Sequence, residues 1–177
     1  FGNLSRPQKQ AVNLHDVLDR ARRSAAVGFG AHMTIIEDYD PSLPLAEGDA
    51  DQLLQVMLNL LKNASEACGD KGKIRLKTFY DHSFRMRRLD GTGQPLPLQI
   101  EIKDDGPGLP QDIKGDVFDP FVSGRENGTG LGLALVSKII SDHDGLITVD
   151  SVPGNTVFRI SLPRLSKEAE AKLKETR

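Results

Sequence analysis

The chain has one cysteine, Cys68, among 177 residues. A lone thiol excludes an internal disulfide framework and fits a reducing compartment. Charge of neither sign is in surplus: Lys+Arg 23 against Asp+Glu 25 leaves a net −2, so no basic nucleic-acid surface is indicated. No apolar run approaches a membrane span, and no signal peptide precedes the first helical pattern. Together these absences point to a cytoplasmic protein. What is present is ordinary for a globular chain, 38% hydrophobic and 27% charged, and the length allows one buried core. The first residue is Phe1 rather than a methionine, so the chain reads as a fragment of something longer.

Residues 1–12 are polar and read as a linker or the end of a preceding element. Asn13 to Ala25 repeats apolar residues at helical spacing behind a capping asparagine. His32–Tyr39 has a β-branched centre and predicts a strand, after which Pro41 and Pro44 enforce a loop. Asp49 opens the clearest helix, with Gln52 in the capping-box position and Gly69 as its stop. Lys73–Tyr80 and Leu98–Ile102 alternate as strands, flanking a charged loop or hairpin tip at 81–97. A helix over Thr129–His143 and two closing strands, Leu146–Ser151 and Thr156–Leu162, follow. Arg164–Arg177 is a charged helix-former with little to bury, expected as a solvated extension. Strands and helices mix without strict alternation, which predicts an α+β, two-layer sandwich: a mixed sheet with helices on one face. The core domain spans 13–163, with 164–177 as a tail.

Three alternating glycines, Gly128, Gly130 and Gly132, stand directly before the helical pattern. Glycines let backbone amides approach a ligand closely, and amides at a helix start favour a phosphate. The polar stretch Ser123–Asn127 just before them carries Arg125. That combination predicts a nucleoside triphosphate under a lid. A P-loop is excluded because Leu133-Ala134 occupy the place of its Lys-Ser/Thr, and a dinucleotide fingerprint because no strand leads in.

Asn59 and Asn63 lie four apart on the long helix, hence on one face. Amide oxygens are hard, neutral ligands suited to Mg2+ bound together with phosphates, with Lys62 and Glu66 close by. The bland alternative is two asparagines on a solvated stripe. Asp104, followed by Gly106 and Gly108 at a strand end, suits recognition of an exocyclic amine, although Asp-Gly turns end many strands. Thr156 after Gly154 offers a hydroxyl that backs up that carboxylate or holds a water.

Taken in order, Asn59/Asn63, Asp104-x-Gly106-x-Gly108, Phe118 and Phe121, Gly128-x-Gly130-x-Gly132 and Gly154-x-Thr156 resemble the N, G1, F, G2 and G3 boxes of sensor histidine kinase catalytic domains, the Bergerat (GHKL) ATP-binding fold. More narrowly, residues 121–133 and 152–158 look like the nitrogen-regulation, NtrB-type sensor kinases, and the long 81–97 loop fits that subgroup. The resemblance implies ATP and Mg2+ as cofactors. It implies that Asn63 and Asn59 hold the metal and phosphates, with Glu66 beside them. Asp104 would bind the adenine amino group, with Gly106 and Gly108 lining the base and Thr156 supporting it. Arg125 would reach the γ-phosphate, the amides of Thr129, Gly130, Leu131 and Gly132 would hold the phosphate chain, and Phe118 and Phe121 would anchor the lid. The catalytic set would be Asn59, Asn63 and Arg125. The implied partners are ATP/ADP, a dimerisation and phosphoacceptor domain missing from this chain, an NtrC-like response regulator and a PII-like regulatory protein.

Relatives of this fold that hydrolyse ATP, such as the gyrase B subunit and MutL, carry a glutamate where Asn59 stands. An amide cannot take a proton from water, so transfer to an imidazole is favoured. Two other readings stay open: a nucleotide-binding regulatory module without kinase activity, and a clamp-type ATPase. Of His15, His32, His82 and His143, only His15-Asp16 imitates the start of the family's acceptor motif, and Asp19-Arg20 break it. His15 is therefore expected on an ordinary helix surface. The chain should bind ATP–Mg2+ without labelling itself. Incubation with γ-labelled ATP is expected to leave no acid-labile phosphate on it, and appreciable labelling would contradict this.

Overall fold

A computed structural model describes residues 5–87, 91, 93–109, 118 and 132–175. In chain order the elements are β1 (Gln10–Val12), α1 (Leu14–Val27), β2 (Thr34–Asp38), β3 (Ala46–Gly48), α2 (Ala50–Cys68), β4 (Lys73–Tyr80), β5 (Arg85–Arg87), β6 (Gly93–Pro95), β7 (Leu98–Asp104), α3 (Gly132–Asp142), β8 (Leu146–Val152), β9 (Asn155–Leu162) and α4 (Lys167–Glu175).

Helix α2 forms where capping and apolar spacing agree. The Asp49 carboxylate accepts the amides of Asp51 and Gln52 at 3.1 and 3.2 Å, answering two of the orphan donors at a helix start. Leu53, Val56, Met57, Leu60, Leu61 and Ala64 then bury one stripe, and Gly69 ends the helix at φ +70°. The reciprocal half of the expected capping box is not made. Gln52 instead donates its side-chain amide to the Ser5 carbonyl at 2.9 Å, so it holds the incoming chain against the helix start. In α1, Asn13 caps by accepting the His15 amide at 2.9 Å.

Five strands form one sheet in the order β2-β4-β7-β9-β8, with β2 parallel to β4 and every other pair antiparallel. Strand side chains alternate in direction. Ile74 and Leu76 of β4, Ile100 and Ile102 of β7, and Phe158 and Ile160 of β9 therefore share one face and enter one core with α1, α2 and α3. The opposite face carries charge, including the ion pair of Arg159 with Glu101. This is the predicted α+β two-layer sandwich.

Several local expectations change. The predicted strand 32–39 is trimmed to β2, because residues 28–33 turn before it. Gln10–Val12, expected in the linker, pairs antiparallel with Ala46–Gly48. The 81–97 segment does contain a hairpin, β5 with β6. The C-terminal tail is not simply solvated: Leu165 is buried, its amide donates to the Leu45 carbonyl at 2.8 Å, and Arg164 bonds Glu170 at 2.9 Å. His15 is half-buried rather than on an open surface. It stacks on Tyr39 with ring centroids 4.8 Å apart, and its Nε2 bonds Thr78 Oγ1 at 2.7 Å.

His143, which no pattern singled out, is fully buried. Its Nδ1 lies 2.8 Å from the Ile139 carbonyl and must donate to it, while Nε2 accepts the Asp49 amide at 3.0 Å. Both bonds require the neutral ring protonated at Nδ1. Burial holds its pKa below the usual 6.5, opposed by the Ile139 carbonyl, Asp49 and Asp142 and aided by Lys9; burial lowers His15 too, against Asp40, Asp16 and Glu37. A depressed histidine pKa costs nothing above the unfolded value, because both states are then neutral. Stability is lost as pH falls below about 6.5, where only the unfolded chain takes up the proton. Urea unfolding is expected to show a lower midpoint at acid pH than at pH 7.5, and His143→Asn should reduce that dependence, with His15 supplying the remainder. An unchanged dependence in the variant would contradict the assignment.

Candidate functional site

The residues expected to select a base meet at one end of the sheet. Asp104 closes β7 and lies opposite Thr156 of β9, which in turn lies opposite Ser151 of β8. The three form a row across adjacent strands, on the face turned to the helices. All are buried, with exposures of 4% for Asp104, 4% for Thr156 and 2% for Ser151.

A buried carboxylate needs protein donors in place of water. One oxygen of Asp104 accepts the Gly106 amide at 3.0 Å. Its neighbour Asp105 lies just past the end of β7. Asp105 accepts the Lys73 amide at 3.1 Å, and that bond, with a smaller contribution from the Cys68 thiol, holds its pKa below the usual carboxylate range. Burial pushes the Cys68 thiol up to about 12, aided by Asp104 and Asp105, so it stays protonated. Adjacent carboxylates thus do different work: Asp105 ties the turn to β4 and to the Cys68 end of α2, and Asp104 is buried in the row with Thr156 and Ser151.

Gly106 is glycine because nothing larger fits. A Cβ there would lie 2.9 Å from the Ala67 carbonyl oxygen and 3.0 Å from an Asp104 oxygen. Its carbonyl also accepts the Gly154 amide at 2.8 Å. Gly108 adopts φ +92°, and a Cβ on it would press on the Ser151 hydroxyl and the Val152 carbonyl, each at 3.1 Å. The two glycines therefore seat the Asp104 turn between the end of α2 and the β8–β9 hairpin, and leave a cradle without side chains.

The contact with Ala67 orients the rest. Asn63 and Asn59 lie one and two turns earlier on α2, about 6 and 12 Å along its axis. Both are half-buried, while Lys62 and Glu66 are exposed. The asparagine stripe thus runs along α2 away from the Asp104 turn. Its donors, two neutral amide oxygens and a carboxylate, are the hard oxygen set that Mg2+ takes when phosphates complete its shell. Among the described residues no group of three or more His, Cys, Asp and Glu could hold a metal unaided.

Phe118 packs edge-on against Phe158, centroids 6.2 Å apart at 78°, so it is anchored to the core. Gly132 is the first residue of α3. Phe121, Arg125, Gly128, Thr129, Gly130 and Leu131 lie outside the described residues. Ser151 was missed by sequence reasoning. Its only signal was its place five residues before Thr156 across a Pro-Gly turn, which puts the two opposite each other in a hairpin.

Comparison with known proteins follows the same outline. The family model described as histidine kinase-, DNA gyrase B- and HSP90-like ATPase matches residues 48–166. The chain is 70% identical over 168 residues to the sensory histidine kinase/phosphatase NtrB of Rhodobacter capsulatus, covering 95% of this chain and 47% of that protein. It is 49% identical to the NtrB of Azospirillum brasilense, over 88% of this chain and 40% of that one. The chain thus spans about half the length of the curated relatives it matches. Among solved structures, the nucleotide-free catalytic domain of histidine kinase ThkA superposes with a TM-score of 0.71 at 25% identity, over 89% of this chain and 96% of that one. A mycobacterial sensor histidine kinase, MprB, shares the fold with a TM-score of 0.70 at 23% identity, over 89% of this chain and all of that one.

Gly106→Ala tests the cradle. Its two close contacts are a backbone carbonyl and the Asp104 carboxylate, neither free to yield. Urea unfolding should show a loss of about 1–3 kcal/mol. A loss below about 0.5 kcal/mol would mean that the turn has room to spare.

Proposed function

The chain belongs to the histidine kinase-, DNA gyrase B- and HSP90-like ATPase family, and from that footing we propose that it is the ATP-binding catalytic domain of an NtrB-like sensor kinase, which transfers the γ-phosphoryl group of ATP to a histidine on a dimerisation domain outside this chain. The single observation that carries the base assignment is the buried Asp104 beside a cradle that only glycine permits. A carboxylate held there accepts a hydrogen bond from the exocyclic amine of adenine. The 6-oxo group of guanine is itself an acceptor and is repelled.

Phosphoryl transfer asks for positioning and charge neutralisation more than for covalent help. Asn59 and Asn63 supply amide oxygens for Mg2+, which when bound neutralises the phosphates, and Glu66 stands at the same stripe. The amides of Thr129, Gly130, Leu131 and Gly132 lead into α3, where the N-terminal dipole favours the phosphate chain. Arg125 meets the γ-phosphate. None of these groups is a strong base, and an imidazole nucleophile needs none. Asn59 in place of a glutamate disfavours attack by water, which argues against the clamp-type ATPase.

The wider system follows from the relatives. Proteins named sensory histidine kinase/phosphatase NtrB are the nearest in sequence among those described above. On that basis the partners are the phosphoacceptor domain, an NtrC-like response regulator that receives the phosphate, and a PII-like protein that contacts this domain near the lid. The setting is the cytoplasm; no helix among the described residues is long and apolar enough to cross a membrane.

Supplying the acceptor domain in trans separates a kinase from a regulatory module. The chain with ATP–Mg2+ is expected to phosphorylate that domain on histidine. Asp104→Asn should lower ATP affinity at least about tenfold, the equivalent of one good hydrogen bond to a charged group. Tight ATP binding without transfer would favour the regulatory module; steady ATP turnover abolished by Asp104→Asn would favour the ATPase.

A further inference from the structure

Ser151 has no role in the reading above, yet it is the most buried member of the row that holds Asp104 and Thr156. Its hydroxyl oxygen accepts the Leu109 amide at 2.9 Å and lies 2.7 Å from Thr156 Oγ1. The distances leave open which hydroxyl donates, and the surroundings favour one arrangement. At 2% exposure the Ser151 proton has no water to turn to, and Thr156 is the sole acceptor bonded to that hydroxyl among the described residues. A buried donor left unanswered is costly, and the arrangement that answers the Ser151 proton has Ser151 donating to Thr156. Polarity then runs one way, from the Leu109 N–H to Ser151, and from the Ser151 O–H to Thr156. The Thr156 O–H ends the chain, and it stands directly opposite Asp104 in the β7–β9 register.

We infer that Ser151 is a positioning residue for base selection: it fixes Thr156 as a donor beside the acceptor Asp104, which presents a donor–acceptor pair to the purine. Adenine offers the complement, an exocyclic N–H and the N1 lone pair. Guanine offers an oxygen and an N1–H, the reverse at both positions. Without Ser151 the Thr156 hydroxyl is free to rotate and to accept as readily as donate, so discrimination falls. This inference rests on the adenine reading of the site, and it adds a side chain that touches no ligand. The competing role is purely structural: a hydroxyl that stitches Leu109 to the β8–β9 hairpin.

A nucleotide titration with the whole chain separates the two roles. The ligands are ATP and 1-deaza-ATP, in which carbon replaces N1, each with Mg2+. The unmodified chain should bind ATP more tightly than the deaza analogue. Ser151→Ala should weaken ATP about tenfold and 1-deaza-ATP by less than about twofold, since the contact it supports is already missing there. Ser151→Cys, a close isostere with a weak donor, should fall between, and it carries the same comparison if thermal unfolding shows that the alanine variant does not fold. An equal loss for both nucleotides would mean a structural role and overturn the inference, as would no loss for either. Equal binding of the two by the unmodified chain would also overturn it and leave the adenine assignment standing. Failure to bind either nucleotide would remove the adenine assignment itself.

Discussion

A carboxylate withdrawn from water has to be answered by the protein, and the Asp104 end of the sheet is built around that requirement. The Gly106 amide turns back onto one oxygen, a bond that needs the chain to reverse within two residues. The reversal presses Gly106 against the Ala67 carbonyl, which excludes any side chain there and fixes where α2 ends relative to β7. Gly154 and Gly108 then lock the same turn to the β8–β9 hairpin. One buried carboxyl group therefore sits where a helix, a strand and a hairpin meet.

A second junction sits at the opposite end of α2. Asp49 caps the helix with one carboxylate oxygen, accepts the Gln8 amide at 3.0 Å with the other, and donates its own amide to His143 at the end of α3. Lys9 reaches Asp144, two residues past α3, at 2.9 Å. The incoming segment, the helix bearing the asparagines and the helix that begins at Gly132 are thus joined through one residue. Movement of the segment before β1 would reach both α2 and α3 here first.

Much of this was legible in the sequence, and the reasons differ by element. Helix α2 was readable because an aspartate cap, an apolar stripe and a stopping glycine all agree, as levels of encoding do in natural folds. Strands β4, β7 and β9 were readable from strict alternation. The β1–β3 ribbon was not, since three-residue strands 36 positions apart carry no periodicity and exist through pairing alone. His143 looked like a helix-end residue, and its burial depends on Gly48 being too small to displace it. Leu165 looked isolated in a charged tail, and only the docking of the tail beside Leu45 buries it. Asp104, Gly106, Gly108 and Thr156 were singled out from order and spacing, and the structure brings them to one end of the sheet. Ser151 escaped because its role is a bond across a hairpin. Local sequence states what a residue can do, and register decides with whom.

The central claim, that a purine base is selected at the buried Asp104 row, is tested most directly by a crystal structure of the chain with Mg2+ and a non-hydrolysable ATP analogue. The account predicts the adenine amino group within hydrogen-bond distance of Asp104, the base over the Gly106–Gly108 cradle, and the metal-bound phosphates at Asn63. A base lodged elsewhere, with Asp104 contacting only protein, would contradict it.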